Sequence, residues 1–219
     1  MYFIKSITIL AVNSIVTPVL RHNRLIMIVS ALLLTACGQE NIKPKGGAST
    51  AVEETEQSKT VSKADREKYR DGITALHNGE LSKAQRIFIE FIRNKPELAG
   101  AYSNLALVHF KKKEYEKSLK QTNKALELNP KQAQALNLRA QLYVIDGKIH
   151  KAKDDYIKAV EIKPAYINAQ FNLALLYDVY LQEISLAIKH YKIYLSLLKE
   201  PDETTKEWIT HLEGTLKDG

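Results

Sequence analysis

The side chains best equipped for chemistry are few and scattered. Cys37 is the one cysteine in 219 residues, and six histidines are spread from His22 to His211. A single cysteine forms no internal disulfide and builds no cysteine-rich metal site. No two histidines stand in an H-E-x-x-H pair, which would bring two imidazoles to one helix face around zinc. No G-x-S-x-G and no glycine-rich phosphate loop occurs. The 25 Asp and Glu are interleaved with 32 Lys and Arg, a pattern that gives solvated i,i+4 pairs on helices. The expectation is therefore no enzymatic activity, no cofactor, no metal and no small-molecule substrate. The formal charge of +7 is spread along the chain. Its densest basic patch, "KKKEYEK" from Lys111 to Lys117, reads as a turn between helices, so no nucleic-acid partner is expected.

Cys37 stands where an apolar run meets a long polar one. Ahead of it lie Arg21, Arg24 and "LIMIVSALLLTA", Leu25 to Ala36. Twelve residues are too few for a membrane-spanning helix, which needs about 20. A basic end, a short apolar run and small residues at the cut describe a secretory signal peptide, so 1–36 is expected to be removed. The residues "LTACG", Leu34 to Gly38, resemble the lipobox of bacterial lipoproteins. That resemblance implies that the Cys37 thiol receives a diacylglycerol and that its amine, freed by cleavage, is acylated as well. Two or more acyl chains hold a protein stably at a membrane where one does not. The alternatives are a soluble secreted protein or an uncleaved anchor. Upstream, "MYFIKSITILAVNSIVTPVL" is a second apolar stretch. A translation start at Val19 or Leu20 would leave a signal of ordinary length with its positive end intact. Read literally, the stretch would instead be an inner-membrane helix.

Removal of 1–36, which holds Lys5, Arg21, Arg24 and no acid, lowers the formal +7 to +4. The segment after the cysteine, within 37–62, is rich in Gly, Ser, Thr, Glu, Lys and Gln and has no aromatic residue. Such a composition buries too little apolar surface to offset ordering entropy. A disordered, lipidated tether is expected there, with a typical span of roughly 25–30 Å.

Beyond Asp65 the chain repeats. Pro96, Pro130 and Pro164 are 34 residues apart, as are Ala84, Ser118 and Ala152. Gly72, Ala106, Ala140 and Ala174 form a third column at that spacing, and Tyr143 with Tyr177 a fourth. Repeats of this length signal stacked supersecondary units. Within each unit apolar residues keep helical spacing, Gly79 and Gly147 suit helix ends, and the prolines follow where a helix cannot continue.

A 34-residue helix–turn–helix of this pattern, best seen in "AGAYSNLALVHFKKKEYEKSLKQTNKALELNP" from Ala99 to Pro130, resembles the tetratricopeptide repeat (TPR) family. The resemblance implies an all-α TPR solenoid of four units over 63–201, at about 65–98, 99–132, 133–166 and 167–201. A capping helix over 202–219 is expected to follow, with Trp208, Leu212 and Leu216 as its apolar stripe. The small columns are expected where the two helices of a unit touch, and Phe88, Tyr156 and Tyr191 between units. Three departures stand out. Lys68 replaces a large residue, His109 replaces a tyrosine and should sit in the core, and "VYLQEIS" carries one extra residue that should distort its turn.

In TPR proteins the first helix of each unit lines the concave face. Carried over, the pattern gives a peptide groove of Tyr69, Ile73 and His77, then Ser103, Leu107, Phe110 and Lys111, then Asn137, Gln141 and Val144, and last Phe171, Leu175 and Asp178. Asn104 and Asn172, on equivalent turns, are candidate contacts to a peptide backbone. Phe110, Asn137 and Phe171 are expected to matter for binding and little for folding. The TPR subclass that grips a C-terminal carboxylate has Lys and Arg where this chain has Tyr69, Ser103, Gln134 and Leu138, so that mode is not expected. The implied function is a membrane-anchored scaffold or adaptor that binds a protein or peptide in a cell-envelope complex. Gly38 in place of an aspartate implies an outer-membrane address facing the periplasm. A pilotin-like factor for pilus or secretion-pore assembly is an alternative, and a murein-processing enzyme is one of another class.

Overall fold

A computed structural model describes residues 62–217. The expected signal peptide, the expected lipidation at Cys37 and the expected tether up to Val61 all fall outside the described residues. Among the described residues the chain forms nine α-helices and no strand. They run α1 Lys63–His77, α2 Leu81–Asn94, α3 Ala99–Lys111, α4 Tyr115–Leu128, α5 Ala133–Ile145, α6 Ile149–Ile162, α7 Ile167–Leu175, α8 Ile184–Leu197 and α9 Glu203–Thr215. A π-helical segment, Leu176–Leu181, extends α7. Successive helices pair as antiparallel hairpins, α1 with α2 through α7 with α8, and each pair packs on the next.

Small residues set the closeness of each pair. Ala106, Ala140 and Ala174 on the first helices and Ala84, Ser118 and Ala152 on the second helices are fully buried. A Cβ on Gly72 would lie 2.8 Å from Ile87 Cγ2 and 3.1 Å from a Phe88 ring carbon, so only glycine fits between α1 and α2 as they stand. Ser118 uses the same closeness for a hydrogen bond, donating its hydroxyl to the Ala106 carbonyl at 2.8 Å. The large residues Phe88, Tyr156 and Tyr191 are buried and fill the core that these contacts enclose.

The turns inside the first three pairs share one geometry. The N–H groups of Glu80, Glu114 and Lys148 each donate to the carbonyl five residues back, at 2.8–2.9 Å. This closes the first helix in a Schellman-like turn that needs a left-handed residue just before the donor. Gly79 (φ 77°) and Gly147 (φ 70°) fill that place in two turns, but the other holds Lys113 at φ 61°. A left-handed L-residue costs about 1–2 kcal/mol, and glycine adds about 0.5–1 kcal/mol of backbone entropy. Lys113→Gly is therefore expected to stabilise the fold by about 0.5–1 kcal/mol, read as a higher urea midpoint at unchanged slope. A lower midpoint would mean that the Lys113 side chain makes contacts worth more than its backbone strain.

The fourth pair absorbs its extra residue as the π-helical segment. One residue more per turn lets the helix end in register, and Gln182 then closes it at φ 55°. The distortion expected at "VYLQEIS" is thus a widened last turn. His109 is buried, as expected, and its Nδ1 lies 2.6 Å from Glu114 Oε2. That hydrogen bond holds the Glu114 carboxyl below the usual carboxylate range.

The last helix, α9, begins at an Asp202 cap whose carboxylate accepts from the Thr205 N–H at 3.0 Å. Its buried residues are Thr205, Ile209 and Leu212. Leu216, expected on the apolar stripe, is instead half exposed (49%). On the helical wheel Leu216 falls between Ile209 and Leu212, on the packing face, but it stands just past the last residue of α9, Thr215, as the cap of the helix.

Candidate functional site: the inner face of the first helices

Residues 34 apart occupy equivalent places on α1, α3, α5 and α7, so the shared face of these helices can be read as columns. One column is Tyr69, Ser103, Asn137 and Phe171, and the next is Arg70, Asn104, Leu138 and Asn172. These two columns meet across neighbouring helices. Asn104 Nδ2 donates to the Tyr69 hydroxyl at 2.8 Å. Asn172 Nδ2 donates to Asn137 Oδ1 at 3.1 Å. Both amides therefore bind one first helix to the preceding one. Each keeps spare hydrogen-bonding capacity, but their first partner is the scaffold.

The same pattern closes the far end. Trp208 Nε1 on α9 donates to Asp178 Oδ2 at 2.7 Å, and the Tyr191 hydroxyl donates to that oxygen at 3.2 Å. Asp178 is buried, and desolvation pushes its carboxyl above the usual carboxylate range, against the pull of the two donors. Its part in the expected groove is therefore structural: it holds the capping helix. Burial likewise pushes the Tyr69 phenol up to about 12, so it remains a neutral hydrogen-bonding group at any physiological pH. Tyr69 stands edge-on to Phe88 and Phe91, with centroids 5.7 and 5.1 Å away. A Cβ on Gly100 would come 2.7 Å from its hydroxyl.

The remaining groove candidates divide by exposure. Asn137 and Leu175 are buried at 4% exposure, and Ser103 is buried as well. Ile73, Leu107, Phe110, Gln141, Val144 and Phe171 are half-buried. Phe171 packs on Tyr191 and Tyr194, with centroids 5.7 and 4.9 Å away, and Phe110 leans on Tyr115 at 5.7 Å. The idea that Phe110, Asn137 and Phe171 matter little for folding is thus corrected, because each is engaged by side chains of the scaffold. Three apolar residues overlooked in the sequence are open to solvent instead. Ile145 is 50% exposed, Val179 36% and Tyr180 41%. Ile145 and Val179 continue the column of His77 and Lys111, so the 34-residue spacing was the signal that could have found them.

Two further features lie off this face. On the outer side a cleft of about 430 Å³ is lined by Asn123, Leu126, Glu127, Pro130, Leu136, Arg139 and Lys158. Its arginine is already held by the buried Asp155, with Nε–Oδ2 at 2.6 Å and Nη2–Oδ1 at 2.8 Å. Among the described residues no three His, Cys, Asp or Glu side chains gather as a metal site, and no helix is long and apolar enough to cross a membrane.

Known proteins are similar to this chain in its repeats. Family models described as tetratricopeptide repeat match residues 99–132 and 122–154. The first match coincides with the α3–α4 pair, and the second runs from within α4 through α5 into α6. The described residues thus form a TPR solenoid. Photosystem I assembly protein Ycf3 of Cyanophora paradoxa is 34% identical over 83 residues, 36% of this chain and 48% of that protein. The chain therefore spans about half the length of this relative. Among solved structures, MamA of Desulfovibrio magneticus RS-1 aligns over 72% of this chain and 88% of its own, with TM-score 0.58 at 16% identity. A thermophilic TPR protein of Thermus thermophilus aligns over 68% and 80%, with TM-score 0.56 at 19% identity. At such identities the likeness is one of fold.

Proposed function

We propose that this chain is a membrane-anchored TPR adaptor that holds a protein or peptide partner in an assembly of the cell envelope. The observation that carries the reading is the open apolar pair, Ile145 and Val179, that ends the column of His77 and Lys111 on the inner face. Ile145 and Val179 stand half exposed beside the half-buried Phe110 and Val144, and solenoids work through such extended surfaces. A relative named as an assembly protein is in keeping with this reading. Lipidation at Cys37 would supply the anchor, with the outer membrane as the address and the solenoid in the periplasm.

Two experiments test the proposal. In the first, Ile145→Ser/Val179→Ser is compared with wild type for proteins captured by in-cell crosslinking and identified by mass spectrometry. Both residues are half exposed, so stability should change by no more than about 0.5 kcal/mol per site. An anchor at an interface is worth about 2 kcal/mol or more, so partner capture should fall sharply. Unchanged capture would refute the inner face as the docking surface. In the second, mass spectrometry of the mature amino terminus should find acyl chains on Cys37, and Cys37→Ser should accumulate unprocessed and unlipidated. A mature terminus lacking acyl mass would remove the anchor from the proposal.

A further inference from the structure

The outer cleft lies where the repeat departs from its own pattern. Lys68, Tyr102, Leu136 and Gln170 form one column at 34-residue spacing. Tyr102 is buried, in a cluster with Ala125 and Leu126 against which Ile92 packs. The Lys124 ammonium is held above the usual lysine range first by its hydrogen bond to Glu127 and also by the nearby Tyr102 phenol. Gln170 is buried as well. Its Nε2 donates to the Pro164 carbonyl at 2.8 Å, and its Oε1 lies 2.8 Å from His190 Nδ1. On either side, then, this column supplies a long side chain with a polar end. Between the second and third units the same place holds Leu136, which has neither. The cleft of about 430 Å³ opens there, with Leu126 and Pro130 as its other apolar lining, and its volume is that of a small ligand pocket.

The polar lining says what kind of group fits. Lys158 is the counterpart of Lys124, 34 residues on, and lines the cleft together with Leu136. It is exposed and forms no ion pair with a described residue. Arg139 gives three of its five N–H groups to Asp155 and Asn123. Glu127, also in the lining, is paired with Lys124 at 2.7 Å. Charge is thus nearly balanced, with Lys158 left as a spare donor. A phosphate or carboxylate would be opposed by Glu127, whereas a neutral ring with one oxygen at its end meets apolar walls and a cationic donor. We propose that the outer cleft takes a phenol ring from a tyrosine side chain of a protein partner, as Tyr102 fills the equivalent place one unit earlier. Lys158 donates to the phenol oxygen, and Leu126, Pro130 and Leu136 enclose the ring. Tyrosine is enriched among the side chains that anchor interfaces. The inference rests on the adaptor reading for the source of the ring, and adds a contact away from the inner face.

The test labels the full-length protein with a photoreactive N-acetyl-tyrosinamide and maps the crosslinks by mass spectrometry. They should fall on α4, α5 and α6, and unlabelled N-acetyl-tyrosinamide should compete for them. Leu136→Tyr supplies a ring from within the chain. It should weaken labelling of these helices about tenfold or more, equivalent to about 1.4 kcal/mol, with the melting temperature unchanged or higher. A lower melting temperature would mean that the place does not accept a ring, and would overturn the proposal. Lys158→Met should weaken binding about threefold to tenfold at an unchanged urea midpoint, whereas Lys120→Met on α4 should leave it unchanged. N-acetyl-phenylalaninamide, which lacks the oxygen, should bind wild type as weakly as the tyrosine probe binds Lys158→Met, and should lose nothing further in that variant. Labelling spread over the chain, or undiminished in Leu136→Tyr, would also overturn the proposal. Para-cresol bound about tenfold more tightly than a tyrosine-containing pentapeptide would assign the cleft to a free phenol and remove the tyrosine as its occupant. In cells, Leu136→Tyr should abolish the partner's crosslinks to α4–α6 and keep those to the first helices. Crosslinks to α4–α6 that persist would sink the outer contact while leaving the adaptor standing, and a wild-type chain that captures no partner would sink both.

Discussion

An Arg139→Ala variant is expected to melt about 6–12 °C below wild type. Arg139 on α5 grips Asp155 on α6 through two hydrogen bonds, and one of its terminal nitrogens reaches Asn123 Oδ1 on α4 at 3.3 Å. The Asp155 side chain is 5% exposed and that of Arg139 23%. Truncating the arginine leaves a buried carboxylate with no counter-charge, which costs about 3 kcal/mol or more. For a domain of this size each kcal/mol shifts the melting temperature by about 2–4 °C. The penalty comes from the orphaned charge more than from the lost attraction, so Arg139→Leu combined with Asp155→Leu should recover much of the loss. A double variant as unstable as Arg139→Ala would mean that the pair contributes through its hydrogen-bond network with Asn123. Arg139→Ala melting within a degree of wild type would show that water reaches Asp155.

Ala140→Leu, one position along the same helix, is expected to cost about 1–3 kcal/mol for the opposite reason. Ala140 is fully buried, and so is Ala152 of the second helix, in one cluster with Tyr156, Ala174 and Tyr177. A larger side chain forces off-rotamer neighbours or a shift of the helix pair, and overpacking of this kind costs about 1–3 kcal/mol. Ile145→Ser, five positions further on the same helix, should cost the fold far less, because Ile145 is half exposed. Urea midpoints of the two variants, measured side by side, check the assignment of faces. An undisturbed Ala140→Leu would mean that the pair separates easily, and that small residues do not set its spacing.

The sequence made some of this legible and hid the rest for physical reasons. A 34-residue column of glycine, alanine and serine is legible because close helix packing permits nothing larger. The extra residue of the fourth unit is legible because a fixed period exposes any insertion, although only the structure shows the residue taken up in a widened helical turn. The roles of Asn104 and Asn172 were not legible. Helical spacing puts an amide on a face, but whether it meets a partner or the scaffold depends on a neighbour 35 residues away lying within about 3 Å. Asp178 was hidden in the same way, since a carboxylate on the inner face looks available until Trp208 is brought onto it. The stripe through Leu216 was misread because the spacing places it on the packing face without showing that the helix ends one residue before it, at Thr215.

The bonds that Asn104, Asn172 and Trp208 make to the preceding first helix act as clips along one rim of a spring. Straightening the solenoid spreads that rim, so each clip resists unbending, whereas tighter coiling strains none of them. The clips are not evenly placed. Between the second and third units the corresponding position is Leu138, a buried side chain in apolar packing, so this rim carries no clip there, and α5 is tied to α4 instead by the longer Arg139–Asn123 contact at 3.3 Å. Elastic deformation should therefore concentrate at this joint. When a bound segment is longer or shorter than the resting arc, the two halves would flex about α4 and α5 as two stiff plates on one hinge.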